Sequence, residues 1–243
     1  MPTAPAADQK RLLAVQDADL RAQQARHRRA TLPVLSQLDE LTGRVIDIGD
    51  ERAARSSAVS DIRREVTKIE DDVATVRARA ERDTARLSSG QGTPKDLQAL
   101  SSELEALARR ASDLEDVELE VLERLEVAEA ELAAAETQHA EIAAQIAELE
   151  VTRDAGFAEI DRELAAIVDE RAAAAEGLDA GLVALYEKLR DQHGGIGAAT
   201  LVRGQCQGCH MTLNAGDLAA IVAAAPDQVV RCEECGRILV REA

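Results

Sequence analysis

The sequence predicts a mainly α protein, with a long antiparallel coiled-coil hairpin over residues 1–193 followed by a small C-terminal β-rich module over residues 194–243. Three observations predict it. Aromatic residues make up 1% of the chain while 31% of residues are charged, which leaves too little bulk for a large globular core and suits helices that bury a narrow stripe. Apolar residues recur in alternating steps of three and four over long stretches, the spacing of a coiled coil. All four cysteines fall in two Cys-x-x-Cys pairs near the C-terminus. Disorder shares the high charge but is disfavoured by an apolar fraction of 46% that is regularly placed.

The N-terminal MPTAPAADQKRLL lacks the apolar segment of a signal peptide, and no run of residues has the apolar length of a membrane span. This points to a cytoplasmic protein that does not engage a membrane. In a reducing compartment, paired cysteines point to metal or redox chemistry rather than structural disulfides.

The first arm carries a basic cluster, Arg26, His27, Arg28 and Arg29. Pro33 then removes a helix hydrogen bond, which predicts a kink or break between Thr31 and Val34. Beyond it a seam runs through Leu38, Leu41, Val45, Ile48, Arg52, Arg55, Val59, Ile62, Val66, Ile69, Val73, Val76, Ala80, Asp83 and Leu87. The polar members read as register-setting or snorkelling positions.

The stretch LSSGQGTPKDL ends this arm. Gly90 and Gly92 allow the backbone angles of a helix end, while Thr93, Pro94 and Asp96 supply an N-cap, a first-turn proline and an acidic residue three after the cap. The tip is therefore placed at residues 88–94, and so short a turn forces the arms antiparallel. Arms of roughly 80 residues give a rod on the order of 120 Å long. Centred on this turn, the register brings Arg52 and Arg55 level with the stretch from Glu126 to Glu131, where opposite charges would compensate across the seam.

The second arm repeats the pattern from Leu97 through Leu100, Leu104, Leu107, Ala111, Leu114, Glu118, Val121, Leu125, Ala128, Leu132, Ala135, His139, Ile142, Ile146 and Leu149. After Leu149 the apolar positions shift to Phe157, Ile160, Leu164 and Ile167, a phase change that predicts a bend. A further helix carries Leu178, Leu182, Leu185 and Leu189.

The cysteine pairs, Cys206/Cys209 and Cys232/Cys235, each offer two thiolates from one tight turn. Their separation of about twenty residues fits a tetrahedral four-thiolate zinc site. A thioredoxin-like dithiol would sit at the start of a helix in a βαβ unit, and neither pair does. His210 could replace one thiolate but is redundant beside four cysteines. The β-prone flanks at residues 200–203, 211–213, 228–231 and 237–240 predict two hairpins, a four-cysteine zinc ribbon, with Asn214 capping a short helix before Pro226. So small a module depends on its metal to fold, so one structural Zn2+ ion is expected, and four thiolates leave it no open position. No triad, phosphate loop or paired carboxylates appear, so no catalytic residue is assigned and a non-enzymatic protein is expected.

The tip segment SSGQGTPKDLQALSSELE together with CQGCHMTL and CEECGRIL resembles the bacterial C4-type zinc-ribbon proteins with an N-terminal coiled-coil hairpin. The resemblance spans the whole chain. It implies interaction rather than catalysis, since similar proteins are linked to flagellar or type III secretion export components, to the sigma-54 class of sigma factor, and to RNA.

Charge separates the partner classes. A net charge of -17 repels nucleic acid at long range and disfavours duplex DNA. At the tip, however, Arg77, Arg79, Arg82, Arg86 and Lys95 outnumber Glu81, Asp83 and Asp96. The leading expectation is a monomeric zinc-binding adaptor, with a regulatory role in view, whose tip and ribbon meet protein partners. The alternative is a nucleic-acid-binding regulator, with RNA favoured over DNA.

Overall fold

The computed structural model describes residues 2–241, so Met1 and the last two residues of the expected ribbon, Glu242 and Ala243, lie outside the described residues. In chain order the elements are α1 (Ala6–Ala30), α2 (Pro33–Ser88), α3 (Pro94–Ala175), α4 (Ala180–Gln192), β1 (Ala198–Val202), β2 (Gln205–Cys206), α5 (Ala215–Ala223), β3 (Val230–Arg231) and β4 (Ile238–Arg241). They form two compact units, Gln37–Leu149 and the combination of Met1–Ser36 with Glu150–Ala243.

In the unit Gln37–Leu149, α2 and α3 lie antiparallel as a hairpin. At its turn Gly90 and Gly92 take φ of 64° and 141°, backbone that a side chain disfavours. The Thr93 N–H donates to Asp96 Oδ2 at 3.0 Å and the Asp96 N–H donates to Thr93 Oγ1 at 3.3 Å, which closes a capping box around Pro94. The seam follows the steps of three and four: Val66, Ile69 and Val73 of α2 pack with Leu114 and Val121 of α3, flanked by Ile62, Val76 and Leu125. Arg79 reaches toward the tip to Glu103, and Arg77 reaches away from it to Glu115 at 2.8 Å. Farther along, Arg63 pairs with Glu129 at 2.6 Å. Such exposed pairs contribute only about 0–1 kcal/mol each, so the apolar seam carries the hairpin.

Arg55 does lie level with Glu131, but it donates to that residue's backbone carbonyl at 2.7 Å and pairs with Glu51 of its own helix. Arg52 is exposed. Among the described residues neither guanidinium pairs with a carboxylate of α3, so the charge compensation expected across the seam is not made at these positions.

In the other unit the chain breaks where Pro33 requires. Helix α1 ends at Ala30, Thr31 caps it, and Pro33 opens α2 at the first helical position, where its missing N–H costs nothing. The later part of α3 runs unbroken through the phase change, and Ile167 packs on Ala18 and Ala22 of α1. Phe157 lies under the Arg29 guanidinium, 4.0 Å from the ring centroid.

The strands form one sheet in the order β2-β1-β4-β3. The expected hairpins exist in altered form. The first is β1–β2, joined by Arg203 and Gly204 at φ of 50° and 78°, the two positive angles of a type I′ turn. The segment 211–213 adds only a bridge between Thr212 and Gln205, because His210 at φ 58° turns the chain away. The second hairpin is β3–β4, and the parallel pairing of β1 with β4 fuses the two. Beneath the sheet lies a core of Leu12 and Val15 from α1, Leu182, Tyr186 and Leu189 from α4, and Ala198, Val229 and Ile238 from the ribbon. The leucine-rich helix α4 thus docks on the ribbon, and α1 joins it.

Candidate metal centre and hairpin tip

Each cysteine pair is held by the same local device. In the first, the His210 N–H donates to the Cys206 carbonyl at 2.8 Å; in the second, the Gly236 N–H donates to the Cys232 carbonyl at 2.7 Å. Both closing residues have positive φ, 58° at His210 and 72° at Gly236. Glycine takes that backbone freely, and His is among the side-chain-bearing residues that tolerate it. At Gly208 a Cβ would lie 2.8 Å from Arg237 Cδ and 3.0 Å from the Ala199 Cβ, so the first turn has room only for glycine.

These turns bring all four thiols together. Cys206 Sγ lies 4.0 Å from Cys235 Sγ, Cys209 Sγ lies 3.9 Å from Cys232 Sγ, and every pair in the set is within 4.8 Å. A tetrahedral site with Zn–S bonds of about 2.3 Å has sulfur–sulfur edges of about 3.8 Å, whereas a disulfide needs about 2.05 Å. The spacing fits the metal, and all four cysteines are free thiols. Among the described residues the cluster consists of these four alone, without His210.

The thiol chemistry agrees. Burial pushes Cys206 above its ordinary value and Cys232 up to about 12. Burial raises Cys235 too, but hydrogen bonds from the backbone and side chain of Arg237 and from the Cys209 and Cys232 thiols outweigh it and bring that thiol down to about 7. Four thiolates so close repel one another, and a bound divalent cation supplies the charge that keeps them ionised. With all four positions filled by sulfur, a tetrahedral zinc here is structural.

The residues that hold this ribbon against the helices were not singled out in the sequence. Gln16, 5% exposed, accepts at Oε1 from the N–H groups of Gly197 and Ala198 at 2.8 and 3.2 Å, and donates from Nε2 to the Gly195 carbonyl at 2.9 Å. Gln9 donates to the Ala4 carbonyl at 2.9 Å. The segment Pro2–Ala4 pairs along the chain before β3, with Val229 N–H to the Pro2 carbonyl at 3.0 Å and Ala4 N–H to the Asp227 carbonyl at 2.8 Å. Arg241 donates to the carbonyls of Ile221, Ala224, Ala225, Pro226 and Gln228, closing the end of α5. The available signal was the spacing of Gln9, Leu12, Gln16 and Asp19, a helical stripe in which polar residues occupy buried positions.

Asp19 anchors a charged network. It accepts from Tyr186 Oη at 2.7 Å and pairs with Arg171 at 2.7 Å and Arg190 at 3.0 Å, and Glu187 neutralises both arginines. Burial raises the Asp19 carboxyl, but bonds from Arg171 and Tyr186 and the charges of Arg171 and Arg190 win and hold it below its ordinary value.

At the tip, the five cations separate into two groups. Arg77 and Arg79 are engaged with Glu115 and Glu103. Arg86 has only Asp83 at 3.9 Å, and Arg82 and Lys95 have no ion pair among the described residues. Also among the described residues, no helix is long and apolar enough to cross a membrane.

Residues 15–194 match the CT398-like coiled coil hairpin domain, and residues 205–239 match the C4-type zinc ribbon domain. The Mycobacterium tuberculosis protein Rv2229c is 36% identical over 97% of this chain and 96% of its own. A solved structure from Mycobacterium smegmatis superposes with a TM-score of 0.89 at 35% identity, covering 99% of this chain and 100% of that one. CT398 from Chlamydia trachomatis, at 16% identity, shares the fold with a TM-score of 0.72 over 97% of this chain and 98% of its own. With its capped helical hairpin and its four converging thiols, the chain belongs to the CT398-like coiled-coil hairpin family and carries a C4-type zinc ribbon.

Proposed function

We propose that this protein is a non-enzymatic cytoplasmic adaptor, acting as a monomer, whose hairpin tip docks an acidic surface of a partner protein. The observation that carries the reading is the state of the tip cations. Arg82 and Lys95 flank the capped turn with no ion pair among the described residues, and Arg86 is held only at 3.9 Å by Asp83. Cations left uncompensated in a chain of net charge -17 are positioned for an external anion. The metal supports the adaptor reading independently. A zinc enclosed by four thiolates has no position for substrate, and its place in the fold is to hold the ribbon.

The test is the triple variant Arg82→Glu, Arg86→Glu, Lys95→Glu, compared with the parent by affinity capture and by titration with labelled RNA at two salt concentrations. Loss of the captured protein partners, with helix content and zinc stoichiometry unchanged, supports the reading. Equal recovery of the same partners overturns it. An RNA affinity that falls steeply with salt and disappears in the variant would assign the tip to RNA instead.

A further inference from the structure

A second surface lies on α3, away from the tip of the hairpin. Between Asp113 and Val127 the helix carries more large apolar side chains than its seam consumes. Leu114, Val121 and Leu125 are taken up in the seam, yet Leu119 is 60% exposed, Leu122 is 39% exposed and Val127 is 60% exposed. Leu119 and Leu122 stand three apart and so share one face of the helix. Around them stand Glu120, Glu123 and Glu126, all exposed and none with an ion pair among the described residues. From Ala111 to Thr152 the only Lys or Arg is Arg124, and it is committed to Glu65 at 3.3 Å.

We infer that this face is a docking site for a basic amphipathic helix of a partner protein. The arrangement is that of a protein interface, an apolar centre with a charged rim, and the sign of the rim selects the occupant. A helix that offers leucines at i, i+3, i+4 and i+7 meets Leu119 and Leu122, while lysines on its borders meet Glu123 and Glu126. A second copy of this chain would bring an identical acidic rim against the first, and RNA would bring phosphates against it, so both are repelled. The site carries charge opposite to the tip and stands whether or not the tip binds.

The probe is a fluorescent Leu/Lys peptide of about 18 residues with leucines in helical amphipathic spacing. Its control is a peptide of the same composition with leucine and lysine alternating. Anisotropy titrations compare the parent chain with Leu119→Ser/Leu122→Ser, with Glu123→Gln/Glu126→Gln, and with Ile46→Ser, an exposed apolar position on α2. The expected result is at least a tenfold loss of affinity in the leucine variant, a smaller loss with weaker salt dependence in the glutamine variant, and no change for Ile46→Ser. Equal binding of both peptides to the parent, or full affinity in the leucine variant, overturns the inference. All five substitutions in these three variants are on exposed positions, so circular dichroism is expected to show the parent's helix content in each.

Discussion

Asp83 is the residue whose position conflicts most with its chemistry. It occupies a seam position, is 7% exposed, and its Oδ2 has no hydrogen-bond partner; the nearest cations, Arg79 and Arg86, stand at 3.8 and 3.9 Å. A buried acceptor without a partner costs about 1–3 kcal/mol. Replacing Asp83 by Leu is therefore expected to stabilise the hairpin by about that amount in chemical denaturation, and a loss of stability would contradict this account of the seam. The stepping pattern identified Asp83 as a seam position but carried no information on whether a cation would reach it. Other residues were readable in full. Thr93, Pro94 and Asp96 form the capping box their spacing describes, and Asn214 accepts from the Asp217 N–H at 2.9 Å to start α5. Both are local motifs, in which sequence separation and spatial separation coincide. Gly197 is the opposite case. A Cβ there would lie 2.6 Å from the Tyr186 carbonyl oxygen, a constraint that exists only once α4 and β1 are packed together.

Among the elements, α2, α3 and the tip were legible because a coiled coil repeats one contact many times, and each repeat reports the same face. Helix α1 was legible as a helix and its end at Pro33 was predicted, but its partners were not. It packs on the ribbon and on the later part of α3 through Leu12, Val15, Ala18 and Ala22, contacts across most of the sequence length. The sheet was partly legible for a similar reason. Hairpin pairing is local, whereas the parallel β1–β4 pairing joins Ala198 to Ile238 and has no short-range signature. The Asp19 network makes α1 testable as an element. Its carboxyl titrates below the ordinary value of 3.8 in the folded chain, so its contribution to stability is complete above that pH and is lost as the pH falls through the lower, folded value. Asp19→Asn is expected to lower stability at neutral pH and to flatten the dependence on pH below 3.8. Parent and variant that lose stability in parallel across that range would show that Asp19 is not the group responsible.

At the level of the whole molecule, charge is divided by sign along the chain. Uncompensated cations sit at the turn between α2 and α3, and uncompensated carboxylates surround exposed leucines on α3. Neither surface takes part in the apolar packing of the seam, which Val66, Ile69 and Val73 make with Leu114 and Val121. The ribbon is different, because its four-stranded sheet and α5 enclose a small core of Ala199, Leu213, Ile221, Val230 and Leu239 around the cysteines themselves. Without a metal this module must bury four thiols in place of apolar groups, and its fold depends on the ion. The most direct measurement of that claim is the zinc content of the purified chain, taken with its circular dichroism, for the parent and for Cys206→Ser and Cys232→Ser. One zinc per chain in the parent is predicted, with each variant losing the metal and the order of the ribbon while α2 and α3 keep most of the helical signal. A parent free of zinc, or a Cys232→Ser chain that retains one zinc and an ordered ribbon, would contradict it.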